Sequence, residues 1–231
     1  MDIVYVCRDG ENEELRYSIR SAVANIPHDN LWVVGGKPDW YGGKFLESEK
    51  KNSVYHQVWA NLEAVINCED ISDDFILMND DFFVVLPVEN IGAFYNKTIK
   101  EYCNNRDALI DDRSYTNMLR DTADRLYRSN KIVDAKNYEL HVPFIFNKQK
   151  LQSILGSYLQ IRSAYGNIYN IGGDQMEDVK VYDVSRNYPF SFDYMYKLGT
   201  YLSTEDGSFE MVKNDILDKL FPAPSENELD R

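Results

Sequence analysis

Three short apolar runs, Ile3-Val4-Tyr5-Val6, Leu31-Trp32-Val33-Val34 and Phe75-Ile76-Leu77-Met78, alternate with stretches whose apolar residues recur at helical spacing. Leu15, Ile19, Ala22 and Val23 share one side of a helix that starts near Glu11. Val54, Val58, Leu62 and Val65 do the same between the second and third runs. The third run is continuously apolar, as a strand covered on both faces requires. Strand, helix, strand, helix, strand predicts an α/β fold with a mostly parallel sheet flanked by helices. The turn Arg8-Asp9-Gly10 closes the first run and Gly35-Gly36 the second, before a loop with Pro38, Gly42 and Gly43.

The rest of the chain is less regular. Residues 112–129 read as an amphipathic helix with Tyr115, Leu119 and Leu126, and residues 148–159 as another with Leu151, Ile154 and Leu155. Glycines 156, 166, 172 and 173 mark a loop region before a strand at Val179-Lys180-Val181-Tyr182. A last helix carries Phe209, Val212, Ile216 and Leu220 and stops before Pro222 and Pro224. The acidic tail, residues 226–231, is expected to fray. No internal repeat or long linker divides the 231 residues, which read as one domain.

Against 25 Lys and Arg stand 38 Asp and Glu, a formal net charge of −13. Such a molecule repels phosphate backbones at long range, so non-specific nucleic-acid binding is disfavoured, while a local basic pocket for a small phosphorylated ligand is not. Cys7, Cys68 and Cys103 are too few and too irregular for a disulfide framework or a zinc site. With no secretory signal and no apolar run of membrane-spanning length, a reduced, cytoplasmic location is expected. Asn96-Lys97-Thr98 matches a glycosylation sequon, which in that setting is accidental.

The sharpest chemical signal is Asn79-Asp80-Asp81, directly after the third apolar run. Ligands of parallel sheets gather at the carboxyl ends of strands. Two adjacent carboxylates there repel each other unless a cation joins them, and oxygen donors of this kind suit Mg²⁺ or Mn²⁺ bridging to a diphosphate. The alternative is a polar strand end whose carboxylates cap the turn. Arg16 and Arg20 lie one helical turn apart and could clamp phosphate, or could simply pair with Glu13 and Glu14. His141, in Leu140-His141-Val142-Pro143 and just ahead of a helix, is either a structural histidine or an acid–base group. Arg162 sits among small residues in a loop, and Asp206 lies in Ser203-Thr204-Glu205-Asp206-Gly207-Ser208, a cluster that would also cap the last helix. No nucleophile motif, dinucleotide fingerprint or Walker loop is present.

In order along the chain, these segments resemble the Stealth family of sugar-phosphate transferases. Ile3 to Val6 with Asp9-Gly10 is similar to the family's opening strand and turn. Glu11-Asn12-Glu13-Glu14-Leu15-Arg16-Tyr17-Ser18-Ile19-Arg20-Ser21 and Phe75 to Asp81 with Phe83 resemble its second conserved region. His141 with Pro143 and then Arg162 resemble the third, and Ser203 to Asp206 with Phe221-Pro222-Ala223-Pro224-Ser225 the fourth. Cys7-Arg8 departs from the tryptophan and small apolar residue usual before that opening turn, and the first two regions are fused. Compact chains of this kind also resemble bacteriophage glycosyltransferases.

The resemblance implies a glycosyltransferase-A-like sheet, a nucleotide-sugar donor with UDP as the expected nucleotide, and Mg²⁺ or Mn²⁺ held by Asp80, Asp81 and His141. It implies Asp9, His141, Arg162 and Asp206 as catalytic residues, and Arg16, Arg20, Asn79 and Asp80 around the donor. Residues 1–90 would form the nucleotide- and metal-binding half, residues 91–225 the acceptor and catalytic half. The acceptor would be a hydroxyl on a glycan, a protein or a modified nucleic acid. Sugar phosphate or sugar could be transferred from such a donor, and a silent sugar- or nucleotide-binding module is the reading from another class.

Overall fold

The computed structural model describes residues 1–109, 113–182 and 199–229. Their contacts gather into two compact units. Met1–Ile91, His141–Phe146 and Val179–Arg231 form the first, Gly92–Leu140 and Asn147–Asp178 the second. The first unit opens with β1 (Asp2–Cys7), α1 (Glu13–Asn25), β2 (Leu31–Gly35), β3 (Lys44–Leu46), α2 (Val54–Asn67), β4 (Asp74–Met78) and β5 (Phe82–Val84). β6 (Phe94–Tyr95), α3 (Ile99–Asp107) and α4 (Ser114–Asn130) follow in the second. Most of β7 (Phe144–Asn147) returns to the first unit, and α5 (Lys148–Gln152), α6 (Ile161–Ile168) and β8 (Asp174–Gln175) to the second. The first unit is completed by β9 (Lys180–Val181), β10 (Tyr201–Thr204) and α7, which runs through Phe209–Val212, a π-helical Lys213–Leu217 and Asp218–Leu220.

The main sheet has the order β3-β2-β1-β4-β7, with β2–β3, β1–β2 and β1–β4 parallel. It is the α/β architecture that the alternation of apolar runs predicts. β1 occupies the centre, and Ile3, Val4 and Tyr5 are wholly buried. α1 begins where Asn12 accepts a hydrogen bond from the Leu15 amide, with Glu13 and Glu14 complementing the positive end of the helix. Its buried face carries Leu15, Ile19 and Ala22.

A second sheet, β5-β10-β9, pairs β10 antiparallel with β5 and parallel with β9. Its apolar side meets α7 in a cluster of Phe83, Leu202, Phe209, Val212 and Leu217, closed by Tyr17 from α1. Phe83 and Phe209 stack with ring centroids 6.3 Å apart. Burial of side chains of this size contributes roughly 1.5–3 kcal/mol each, enough to fix α7 against the small sheet.

One glycine is required by close approach. A Cβ on Gly36 would lie 2.1 Å from the Arg8 carbonyl oxygen, so only glycine lets the exit of β2 pass beside the turn after β1.

The second unit holds two helices that periodicity alone leaves unread. α3 is capped by Thr98, whose side chain accepts from the Glu101 amide while the Glu101 carboxylate accepts from the Thr98 amide. The sequon threonine is thus a helix cap. α6 occupies a stretch expected to be loop. Gly166 sits within it because a Cβ there would lie 2.5 Å from the Tyr138 ring.

Other expectations are corrected. The helix read over 148–159 stops at Gln152, and the helix read from 112 runs Ser114–Asn130, with residue 112 outside the described residues. The tail does not fray through Leu229. The Leu229 amide donates to the Trp40 carbonyl (2.8 Å), the Gly42 amide to the Asn227 carbonyl (2.8 Å), and Glu228 bridges to Tyr41. Residues 230 and 231 lie outside the described residues. Among the described residues no helix is long and apolar enough to cross a membrane.

Candidate functional site

In the first unit a cavity of about 730 Å³ opens where β1 and β4 end, beside the start of α2 and the turn after β10. Its volume lies within the usual range for small-molecule sites. Parallel strands deliver it, since their carboxyl ends and the following helix starts converge on one edge of the sheet. α2 presents its N-terminus there, capped by Ser53, so the lining includes the positive end of a 14-residue helix. Charge in the lining is unbalanced. Glu14, Asp80, Asp81, Glu205 and Asp206 face the cavity with Arg8, Lys51 and Lys180.

The acidic pair is held by specific partners. Asn12 Nδ2 donates to Asp80 Oδ2 (2.5 Å) while its Oδ1 caps α1 by accepting from the Leu15 amide (2.9 Å). Burial and the neighbouring Asp81 nevertheless push the Asp80 carboxyl above its ordinary range. Asp81 Oδ2 accepts from Lys180 Nζ (3.0 Å) and from Ser203 Oγ (3.1 Å). Lys180 Nζ also stands 3.4 Å from His141 Nε2. Because an ammonium only donates, that nitrogen of His141 is the acceptor. Phe82 meets the imidazole edge to face, with centroids 5.8 Å apart.

Glu14 completes the cluster. Thr204 Oγ1 donates to its Oε1 (3.1 Å). Burial, reinforced by the charges of Asp80, Asp81 and Asp206, overrides that bond and lifts its carboxyl to about 7.

The sequence-predicted residues are distributed unevenly. Asp80, Asp81 and Asp206 line the cavity, and His141 reaches Asp81 through Lys180. His141 precedes the strand β7, not the helix expected after it. Asp206 stays exposed in the turn after β10, while Ser208 starts α7 and donates to the Val181 carbonyl (2.7 Å). Asn79 closes the turn into β5, its carbonyl accepting from the Phe82 amide (3.3 Å). Asp9 is exposed and pairs with Lys50 (2.5 Å).

Arg20 binds Glu228 through both Nε (2.7 Å) and Nη2 (2.8 Å). Arg16 pairs with Glu13 (3.3 Å) and lies over the Trp40 ring. Neither arginine is in the cavity lining. Arg162 belongs to the second unit, where it is buried in α6 rather than placed in a loop, and its Nη1 donates to the Leu140 carbonyl (2.7 Å).

Three residues of the cluster escape sequence reasoning: Asn12, Glu14 and Lys180. Asn12 has a legible signal as a helix cap ahead of two acidic residues. Lys180 reads as the polar member between Val179 and Val181, which says which face of a strand it takes and nothing about what lies opposite.

Among the described residues no group of three or more His, Cys, Asp or Glu side chains is arranged to enclose a metal ion. That excludes a closed protein cage of the structural-zinc type from those residues. Asp80, Asp81 and His141, expected together around a metal, are therefore not such a group; what remains is the pair Asp80 and Asp81, oxygen donors of the kind that Mg²⁺ or Mn²⁺ accepts beside water and phosphate. The elevated Asp80 and Glu14 carboxyls mark where added positive charge is favoured.

No family model matches the chain, and no curated protein matches it. Among solved structures it is similar to the galactosyltransferase LgtC in complex with donor and acceptor sugar analogues, with a TM-score of 0.46 and 12% identity over 98% of each chain. An active-site mutant of LgtC gives a TM-score of 0.46 and 10% identity, again over 98% of each chain. Overlap at that level carries no argument about chemistry, which has to come from the residues of the site.

Proposed function

We propose that the first unit binds a nucleotide-sugar donor with its diphosphate beside Asp80 and Asp81, and transfers either the sugar or the sugar phosphate to a hydroxyl acceptor. The observation that carries this reading is the concentration of carboxylates, two of them with raised affinity for protons, in a ligand-sized cavity at the ends of β1 and β4. A divalent cation there would supply charge neutralisation between those carboxylates and the donor phosphates. Asp80 and Asp81 are the residues that would hold it.

The chain's own residues supply the rest. The N-terminus of α2 and Arg8 offer positive potential to the donor's phosphates from the same cavity. Lys180 is held by Asp81, and a divalent cation on that carboxylate would leave the lysine to donate to a phosphate oxygen instead. His141 and Asp206 are the candidates for accepting the acceptor hydroxyl's proton.

Two bond changes are compatible with such a donor. Attack of the acceptor oxygen on the anomeric carbon breaks its bond to the phosphate oxygen and releases a nucleoside diphosphate. Attack on the phosphorus next to the sugar breaks the phosphoanhydride and releases a nucleoside monophosphate, the Stealth-type outcome. The test is incubation with a panel of nucleotide sugars and Mn²⁺, followed by chromatography of the released nucleotide, with Asp80→Asn alongside. A diphosphate that disappears in the variant supports glycosyl transfer, and a monophosphate supports sugar-phosphate transfer. Release of neither, across sugars and hydroxyl acceptors, overturns the transferase reading.

A further inference from the structure

Asn61 is 2% exposed, lies two turns into α2 and lines the cavity. A relay of hydrogen bonds orients its amide. The Lys51 backbone N–H donates to Gln57 Oε1 (2.8 Å), which leaves Gln57 Nε2 facing Asn61, where it donates to Oδ1 (2.9 Å). Ser48 Oγ donates to the same Oδ1 (2.5 Å). A flipped Asn61 amide would set donor against donor at Gln57, so the network admits one orientation. Nδ2 is thereby turned away from the relay, and it makes no hydrogen bond among the described residues. One half of this amide is saturated, and the other half is a donor that is not sealed off from the cavity and is available to whatever enters it.

Its surroundings narrow what that is. A Cβ on Gly35 would come within 2.8 Å of both amide heteroatoms, so the amide lies flat against the last residue of β2. β2 and β4 flank β1 on opposite sides. The Asn61 amide of α2 is packed against the end of β2, and Asp80 lies just past the end of β4. The ends of those two strands are two strand spacings, about 10 Å, apart. That is close to the span from the phosphates of a nucleotide to the far edge of its base. A diphosphate beside Asp80 would leave the Asn61 side of the same cavity within reach of the base.

We propose that Asn61 reads the donor's nucleobase by donating from Nδ2 to the carbonyl oxygen at the position where uracil carries O4 and guanine O6, and where cytosine and adenine carry an amino group. The site then takes a nucleoside diphosphate with a keto base in preference to one that presents an amino group at that edge. The assignment rests on the donor reading above, and adds the residue that selects the nucleotide and the direction of the selection.

Calorimetric titration of the full chain tests it, using UDP, GDP, CDP and ADP, each with Mn²⁺, and Mn²⁺-pyrophosphate as a base-free probe. At least one keto nucleotide is expected to bind about fivefold to tenfold more tightly than either amino nucleotide, the effect of one hydrogen bond made or left unmade. Asn61→Asp keeps an Oδ1 acceptor for Ser48 and Gln57 but puts an acceptor in place of the donor. It is expected to erase or invert the preference while pyrophosphate binds as before. A keto preference that survives in Asn61→Asp overturns the assignment alone, as does nucleotide binding without any preference in the unaltered chain, an outcome that needs no variant to fold. Binding of none of the four nucleotides overturns the donor reading and this assignment with it.

Discussion

Glu14 is a side chain of the cavity whose charge state is set by its burial among other carboxylates. Its carboxyl has an ordinary value of 4.5 and titrates near 7 in the folded chain. Between those pH values the folded chain keeps a proton that the unfolded chain has lost, so stability falls as pH rises from 4.5 to about 7, and no penalty applies below that window. In EDTA, the melting temperature of Glu14→Gln is expected to fall less across this window than that of the unaltered chain. Equal slopes would show that Glu14 is not the group responsible. Lys180 acts in the opposite sense, as a cation already seated on Asp81 (3.0 Å). Lys180→Met removes that competitor and is expected to raise Mn²⁺ affinity by about fivefold, the scale of one partly screened charge pair. Unchanged or weaker Mn²⁺ binding in a fluorescence titration would contradict it. The sequence makes Asp80 and Asp81 legible because two adjacent carboxylates end an apolar run, a local pattern. Glu14 and Lys180 reach the same cavity from α1 and β9, and no spacing within the chain records that the fold brings these elements together.

At the scale of elements, the C-terminal segment is tied to α1 by a half-buried charge pair. Glu228 accepts two bonds from Arg20 and one from the Ser225 amide (2.8 Å), and its side chain is only 7% exposed. Glu228→Ala takes the carboxylate from the Arg20 guanidinium, which keeps only its bond to the Phe221 carbonyl and its place over the Tyr17 ring, and urea denaturation is expected to show a loss of about 1–3 kcal/mol, between the values for exposed and buried pairs. Gly36→Ala drives a methyl group into the Arg8 carbonyl. The turn after β1 must shift, at a cost of about 1–3 kcal/mol for overpacking, and nucleotide binding is expected to weaken with it. Whereas α2 buries only Leu62 and Val65 of its expected stripe and leaves Val54 exposed at its start, β1, β2, β4 and α1 are legible in the sequence because each buries one continuous or periodic apolar face. α3 is not, since only Ile99 and Cys103 of its residues are buried, and its clearest mark is the reciprocal pair Thr98 and Glu101 at its start. α6 hides behind Gly166, which suggests a loop by composition and serves instead as a seat for the Tyr138 ring. The tail reads as acidic and terminal. Its order comes from Arg20, more than two hundred residues away, and so is invisible to any local pattern.

At the scale of the whole molecule, the first unit is assembled from three separate stretches of chain. Residues 1–91 contain the parallel centre of the main sheet but lack β7, β9, β10 and α7. An isolated fragment of those residues would expose Phe75, Phe82 and Phe83, all buried in the intact chain, and is expected to show no cooperative thermal transition by circular dichroism. A sharp melt would mean that the three stretches are less interdependent than their packing indicates. The same arrangement bears on inheritance. The short stretch His141–Phe146 lies between the two parts of the second unit, yet belongs to the first, where Phe146 packs on Phe75 with centroids 6.0 Å apart. A gene segment encoding the whole second unit therefore always carries a strand of its neighbour's sheet. Recombination can exchange that unit between related chains only when the incoming strand also fits against the resident Phe75, so the aromatic pair acts as a filter on which crossovers leave a folded product.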